Sequence, residues 1–342
     1  MRTASPPSTE AVSAMVEPAL RAAVGRLDEA TALVCRYHLG FVDADGAELP
    51  AGAGGKQVRP LLALLSARAA GEDERDAVPA AVACQLVHDF SLLHDDVMDG
   101  DVERRHRPTT WSVFGVPAAI LAGDAMLSLA HEVLSETHSP TAGWAARCLG
   151  TATRRLIAGQ TADLAFESRP EVTLAECLRM AEDKTGALIA CSACLGAVLV
   201  DAPAALVLGL AEFGSHLGLA FQVTDDLLGI WGEPERTGKP ARSDIASRKK
   251  SVPVVAALQS ASPAGWRLQQ LYLSSGPLGD DDLQTAAALI EEAGGRDFAE
   301  RLAREQSDAA LTSLSALEET GAAPDVVEEL AAITGRLCGR DR

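Results

Sequence analysis

Leu92-Leu93-His94-Asp95-Asp96-Val97-Met98-Asp99 closes a largely apolar stretch that begins at Ala77. Its apolar residues recur at helical spacing, without the alternation of a half-buried strand, and predict a long helix over 77–99. Residues four apart on a helix share a face and rise about 6 Å along the axis, so Asp95 and Asp99 point the same way. Two carboxylates side by side repel. The apolar residues before them put the pair at the mouth of a buried region, where divalent cations would relieve the repulsion. A hard, oxygen-only donor set favours magnesium over zinc. The alternative for this stretch is a solvated acidic helix end.

Outward from this stretch the pattern repeats. Ala/Leu/Val-rich segments with helical spacing cover about 9–38, 57–70, 117–135, 141–166, 174–200 and 203–231, with more in the C-terminal third. No run alternates long enough to propose a strand, so the expected fold class is all-α. Gly/Pro punctuation at 51–55, 105–108 and 232–240 separates the helices. Helices of ~20 residues, longer than the average of ~11, suit a large bundle around a central cavity. Such a cavity accepts a long apolar ligand.

Composition narrows the function. The chain has 342 residues, 47% hydrophobic and 23% charged, which excludes disorder, collagen and a disulfide scaffold. No linker divides it, so a single domain over 11–342 is expected after a frayed tail at 1–10 that carries Pro6 and Pro7. A net charge of −18 opposes nucleic acid and anionic membranes, so an anionic substrate needs a local cationic site. The seven cysteines are an odd number without metal-ligand spacing, and Cys191 and Cys194 fall in an apolar run; a reducing, cytoplasmic compartment fits. The uncharged stretch 185–200 is shorter than the ~20 residues of a membrane span, and no export signal is visible, so stable membrane insertion is not expected.

A second acidic pair, Asp225 and Asp226, follows Phe221-Gln222-Val223-Thr224 and precedes Leu227-Leu228-Gly229. One such pair in a core-like helix could be accidental. Two on different helices, each among residues that would bury, argue for carboxylates facing one another across a metal-filled site. The basic residues are few but fall at turns: Lys56 and Arg59 after Gly54-Gly55, Arg104 and Arg105 after the first acidic cluster, Lys239, Lys249 and Lys250 after the second. Each alone reads as a solvated charge. Together with magnesium they describe a clamp for diphosphate, with Arg offering paired donors and Lys point charges. His88 lies seven positions before Asp95 on a similar face, and by itself reads as a core histidine. Gly54-Gly55-Lys56 has neither the spacing nor the preceding strand of a P-loop or Rossmann fingerprint.

These residues resemble the trans-polyprenyl diphosphate synthase family, which elongates isoprenoids head to tail. The resemblance rests on Gly54-Gly55-Lys56-Gln57-Val58-Arg59-Pro60, Asp95 to Asp99 with Arg104-Arg105, Gly123-Asp124, Gly159-Gln160, Lys184-Thr185, Phe221-Gln222 with Asp225-Asp226, and Lys239 to Lys250. It covers about residues 50–255 in family order. It implies an all-α isoprenoid-synthase bundle, usually homodimeric, that condenses isopentenyl diphosphate with an allylic diphosphate using Mg²⁺, three ions in the family. By the same resemblance Asp95 and Asp99 hold two ions, and Asp225, helped by Asp244, the third. Asp95, Asp96, Asp99, Lys184, Asp225 and Lys239 form the catalytic set. Arg104, Lys184 and Lys239 grip the allylic diphosphate, with Thr185, Gln222 and Lys249 nearby; Lys56, Arg59, His88 and Arg105 grip isopentenyl diphosphate.

Two positions depart from the family pattern. Gly229 stands where the second motif often has its last aspartate, which puts occupancy of the third metal in question, and Gln57 stands where Arg is common. Chain length in this family depends on what blocks the tunnel beneath the first motif. Ser91 lies beneath Asp95, and Phe90 is turned round the helix but is long, so either could border the tunnel. A large Phe beside a small Ser resembles synthases that stop at C20, geranylgeranyl diphosphate, with C15, farnesyl diphosphate, next; alternatively Phe90 packs only in the core. Two rival readings remain. A terpene cyclase on the same fold would need aromatic walls, and only 7 Phe, 4 Trp and 2 Tyr are present. A non-catalytic subunit would have a damaged first motif, which here is intact.

Overall fold

The computed structural model describes residues 9–50, 57–104, 106–233, 242–274 and 276–339. Lys56, Arg105 and Lys239 lie outside the described residues, as do Gly54, Gly55 and most of the expected tail; Glu10 of that tail is already inside the first helix. The chain divides into two compact units, Met1–Thr153 with Ala190–Gly214 and Ser313–Ala332, and Arg154–Ile189 with Ser215–Thr312 and Ile333–Arg342.

The elements in chain order are α1 Thr9–Val24, α2 Glu29–His38, α3 Val58–Ala69, α4 Val78–Asp99, β1 Glu103–Arg104, β2 Arg107–Pro108, α5 Thr110–Phe114, α6 Val116–Ser135, α7 Ala142–Ser168, α8 Leu174–Ala181, α9 Ala187–Leu199 and α10 Ala204–Trp231. They continue as α11 Ser243–Ala246, α12 Val252–Gln259, α13 Pro263–Leu273, α14 Asp280–Glu292, α15 Gly295–Glu319 and α16 Pro324–Leu337. In the first unit α4 packs against α6, α3 and α1. Leu62, Leu65, Leu86, Leu93 and Met126 are fully buried there, the burial that drives helices of this composition together. In the second unit Cys177, Met180, Leu219, Val223, Val252 and Val255 share one core, and Ile230, Val254, Leu268, Leu289 and Ile290 another.

The all-α fold expected from the spacing is the one observed, with three local differences. The helix expected over 9–38 is two helices, because α1 ends at Val24 and Asp28 starts α2 by accepting a hydrogen bond from Thr31 N. The helix expected over 174–200 contains a π-helical turn, Glu182–Gly186, between α8 and α9. Glu103–Arg104 and Arg107–Pro108 pair as two-residue antiparallel strands, Arg104 opposite Arg107, too short to show any alternation in sequence. Two helices, Val116–Ser135 and Ala204–Trp231, are long and apolar enough by length and composition to cross a bilayer, although 39% and 44% of their most apolar stretches is buried inside the protein.

Candidate active site

Helix α4 runs until Gly100 takes a left-handed conformation (φ 69°) that a side chain would disfavour, so the helix stops one residue after Asp99. Asp95, Asp96 and Asp99 thus occupy its last turn, which holds no basic residue. That end of a helix is already partially negative, so three carboxylates there raise the demand for cations. Asp96 is buried at 1% exposure, and Arg104 from β1 meets it, with Nε donating to Oδ1 at 2.7 Å and Nη2 at 2.6 Å. Burial alone would pull the guanidinium pKa down; the hydrogen bond and charge of Asp96 outweigh it and hold it above the ordinary arginine value. Asp95 is half-buried and Asp99 exposed on the same side of the helix.

The hairpin that presents Arg104 is anchored at its far strand. Arg107 donates to the carbonyls of Tyr37 and Val42 at 3.3 and 3.1 Å and lies over the Tyr37 ring, whose hydroxyl donates to Pro108 O at 2.8 Å. Beneath the motif, Ser91 Oγ donates to His88 O at 2.7 Å, and the buried Phe90 ring meets His94 edge-on, centroids 5.1 Å apart. His94 in turn contacts Ile120 O at 3.0 Å, so Phe90 looks toward α6. His88 and Arg59 are half-buried.

The second unit assembles Lys184, Thr185, Gln222, Asp225, Asp226 and Asp244. Lys184 and Thr185 ride on the π-turn, a geometry frequent at functional sites. Room for this wider turn comes from glycine: a Cβ on Gly159 would stand 2.6 Å from Lys184 Cα, and one on Gly218 2.6 Å from Gly186 Cα. Lys184 Nζ is held by Asp163 Oδ2 at 2.6 Å. Thr185 Oγ1 donates to Gln222 Oε1 at 2.5 Å, and Gln222 Nε2 donates to Asp226 Oδ1 at 2.8 Å, with Val252 N on its other oxygen at 3.0 Å. Burial pushes the Asp226 carboxyl up to about 6 even so, with Lys249 opposing the shift. Asp226 is therefore a buried anchor, while Asp225 is exposed. Lys249 is half-buried, its N–H donating to Asp244 O at 2.8 Å.

The residues present fit magnesium. Among the described residues no three His, Cys, Asp or Glu side chains form a ready-made cage. Magnesium needs none, since it binds through one or two carboxylates and completes its shell with waters and substrate phosphate oxygens. Asp95 with Asp99 offers such a pair. At the second motif the Asp244 carboxylate lies against the bare backbone of Gly229, 2.5 Å from Cγ to where a Cβ would be, so a carboxylate stands beside position 229 although that residue has no side chain.

Sequence reasoning missed Asp163, a single acid on a helix face, although it lies one turn after the Gly159-Gln160 motif. It also left unassigned Gln160, whose side-chain amide is buried at 6% exposure and makes no hydrogen bond within the protein. A buried amide with no partner is poised for a ligand or water.

Comparison with known proteins shows the family. The polyprenyl synthetase family model matches residues 47–290. The (2E,6E)-farnesyl diphosphate synthase of Mycobacterium tuberculosis is 51% identical over 293 residues, 85% of this chain and 81% of its own. The geranylgeranyl diphosphate synthase of the same organism is 44% identical over 327 residues, 95% and 91% of the two chains. The crystal structure of a polyprenyl synthetase from Streptomyces coelicolor A3(2) superposes with a TM-score of 0.90 at 46% identity, covering 96% of this chain and 98% of that one. The chain belongs to the polyprenyl synthetase family: it is a trans-prenyltransferase with the all-α isoprenoid-synthase fold.

Proposed function

We propose that the enzyme is a magnesium-dependent elongase that condenses isopentenyl diphosphate with allylic diphosphates and releases geranylgeranyl diphosphate, C20. The observation that supports the metal-dependent reading most is the pair of carboxylates Asp95 and Asp99 at the negative end of α4, beside an Asp96 already neutralised by Arg104. Asp95 and Asp99 hold two Mg²⁺ ions; Asp225 and Asp244 hold a third. Bound there, magnesium supplies charge that stabilises diphosphate as a leaving group.

The side chains do the rest. Arg104, Lys184 and Lys239 grip the allylic diphosphate, with Thr185, Gln222 and Lys249 fixing the neighbourhood. Lys56, Arg59, His88 and Arg105 hold isopentenyl diphosphate, the nucleophile. As the carbon–oxygen bond to diphosphate breaks, the isopentenyl double bond attacks the allylic carbon, and loss of a proton completes the new chain. Apolar walls keep water from the cation, which would otherwise end as an alcohol. Phe90, with the smaller Ser91 beside it, closes the tunnel at C20. The alternative product, C15, draws on the 51% identity to a farnesyl diphosphate synthase. A homodimer is supported by the apolar strip Val113 on α5 with Val116, Ile120 and Leu121 at the start of α6, all exposed. A cytoplasmic location is supported by seven cysteines that are all free thiols.

Incubating the purified protein with Mg²⁺, isopentenyl diphosphate and dimethylallyl, geranyl or farnesyl diphosphate, followed by mass analysis, tests the reading. A C20 product supports it. Consumption of the allylic substrate without isopentenyl incorporation would replace it with a cyclase.

A further inference from the structure

Helix α10 has a second working face. At 100° per residue, Thr224, Leu227, Leu228 and Trp231 centre roughly 110° round the helix from Asp225. They line a cavity of about 510 Å³ whose other wall is a single stripe of α15, from Arg296 to Ser307. The cavity exists because small residues stand where the two helices meet: Ala303 and Ser307 on α15, with Gly339 beyond the end of α16. Its size lies within the range of small-molecule sites.

The lining has a direction. Leu227, Leu228 and Ala303 make an apolar wall, and Trp231 lies under the Arg296 guanidinium at 5.1 Å. At the other end Ser307 is 1% exposed, and its Oγ has no hydrogen-bond partner within the protein. A buried hydroxyl without a partner is costly unless something enters to meet it. One turn before it on the same face stands Arg304. Glu300 lies 3.0 Å from Arg296 and 3.8 Å from Arg304, and Glu291 lies 3.5 Å from Arg296, so carboxylates share the Arg296 end of the mouth and Arg304 is the cation on the Ser307 side.

We propose that this cavity is a second, non-catalytic binding site for a single-chain amphiphile with an anionic head. The head accepts a hydrogen bond from Ser307 Oγ beside Arg304, and the chain lies along Leu227, Leu228 and Trp231. A fatty carboxylate and a prenyl diphosphate share this chemistry.

Isothermal titration of the full chain with palmitate and, separately, with farnesyl thiodiphosphate distinguishes the two. If the occupant is a fatty carboxylate, palmitate binds at one site that weakens at least ten-fold in Ala303→Phe, which fills the cavity, and several-fold in Ser307→Ala, which removes only the hydroxyl. If it is a prenyl diphosphate, the thio-analogue binds at two equivalents in the wild type and one in Ala303→Phe. In both cases binding shifts an emission that Trp231→Phe abolishes. Circular dichroism checks the variants, and Ser307→Ala with the Trp231 signal decides alone if Ala303→Phe fails to fold. The proposal is overturned if neither amphiphile shows such a site, or if both variants bind like the wild type.

Discussion

Gly229 and Asp244 share one space: a Cβ on the glycine would stand 2.8 Å from Asp244 Oδ1 and closer still to Oδ2. The proposal that Asp244, reaching this place from α11, compensates for the departure at 229 can be tested on the glycine. Gly229→Ala should push Asp244 aside, raise the Mg²⁺ concentration for half-maximal turnover several-fold, and leave the fold intact. A magnesium titration checks it; an unchanged midpoint would remove Asp244 as a ligand.

Asp163 fixes the ammonium of Lys184 at 2.6 Å on a turn that would otherwise let it swing. Asp163→Asn keeps the shape but removes the charge. We expect KM for the allylic substrate to rise roughly ten-fold, a loss of about 1.4 kcal/mol of binding, with a smaller change in kcat. Steady-state kinetics with the isopentenyl substrate saturating would show it.

Breaking the pair between Asp96 and Arg104 leaves a largely buried cation without its partner. Asp96→Ala should cost about 2 kcal/mol of stability, more than a surface charge would, and chemical denaturation can read it. A loss of activity with no loss of stability would mean that Asp96 acts on substrate and not through Arg104.

Phe90 is buried with its ring against His94, pointing toward α6. If it is the floor of the tunnel, Phe90→Ala lengthens the product beyond C20, while Ser91→Ala leaves it unchanged. Mass analysis of the products decides, and unchanged length would make Phe90 a core residue only.

Glu176 caps α8: its carboxylate takes a hydrogen bond from Arg169 and two more from Thr173, which hold its pKa at about 2 against the ordinary 4.5. A depressed carboxyl stabilises the fold above its unfolded pKa and loses that contribution as pH falls from about 4.5 toward 2. The melting temperature of Glu176→Gln should therefore trail the wild type at pH 6, close part of the gap by pH 3 and converge with it only at about pH 2 or below.

The helices around the acidic motifs were legible because Gly and Pro mark their ends and apolar residues their faces. The break between α1 and α2 was overlooked although Gly25, directly after Val24, and Asp28 both mark it, because Arg26 and Leu27 between them keep a helical composition. The π-turn is invisible for the same reason: a widened turn uses the residues of an ordinary one. Asp95, Asp96, Asp225 and Asp226 stood out against apolar neighbours, whereas the contacts of Asp163 with Lys184 and of Gly229 with Asp244 join residues distant in sequence. No periodicity records such pairings. The burial that separates Asp226 as an anchor from its exposed neighbour Asp225 likewise depends on Val252, which only the fold brings alongside.

The widened turn at Glu182–Gly186 amounts to one surplus residue in an otherwise regular rod. Excising it would leave the flanking segments in phase, so the hydrophobic interior has no need of it. Whatever keeps that extra residue in the chain must therefore lie in how it presents an ammonium and a hydroxyl, a cost in regularity that architecture alone would never retain.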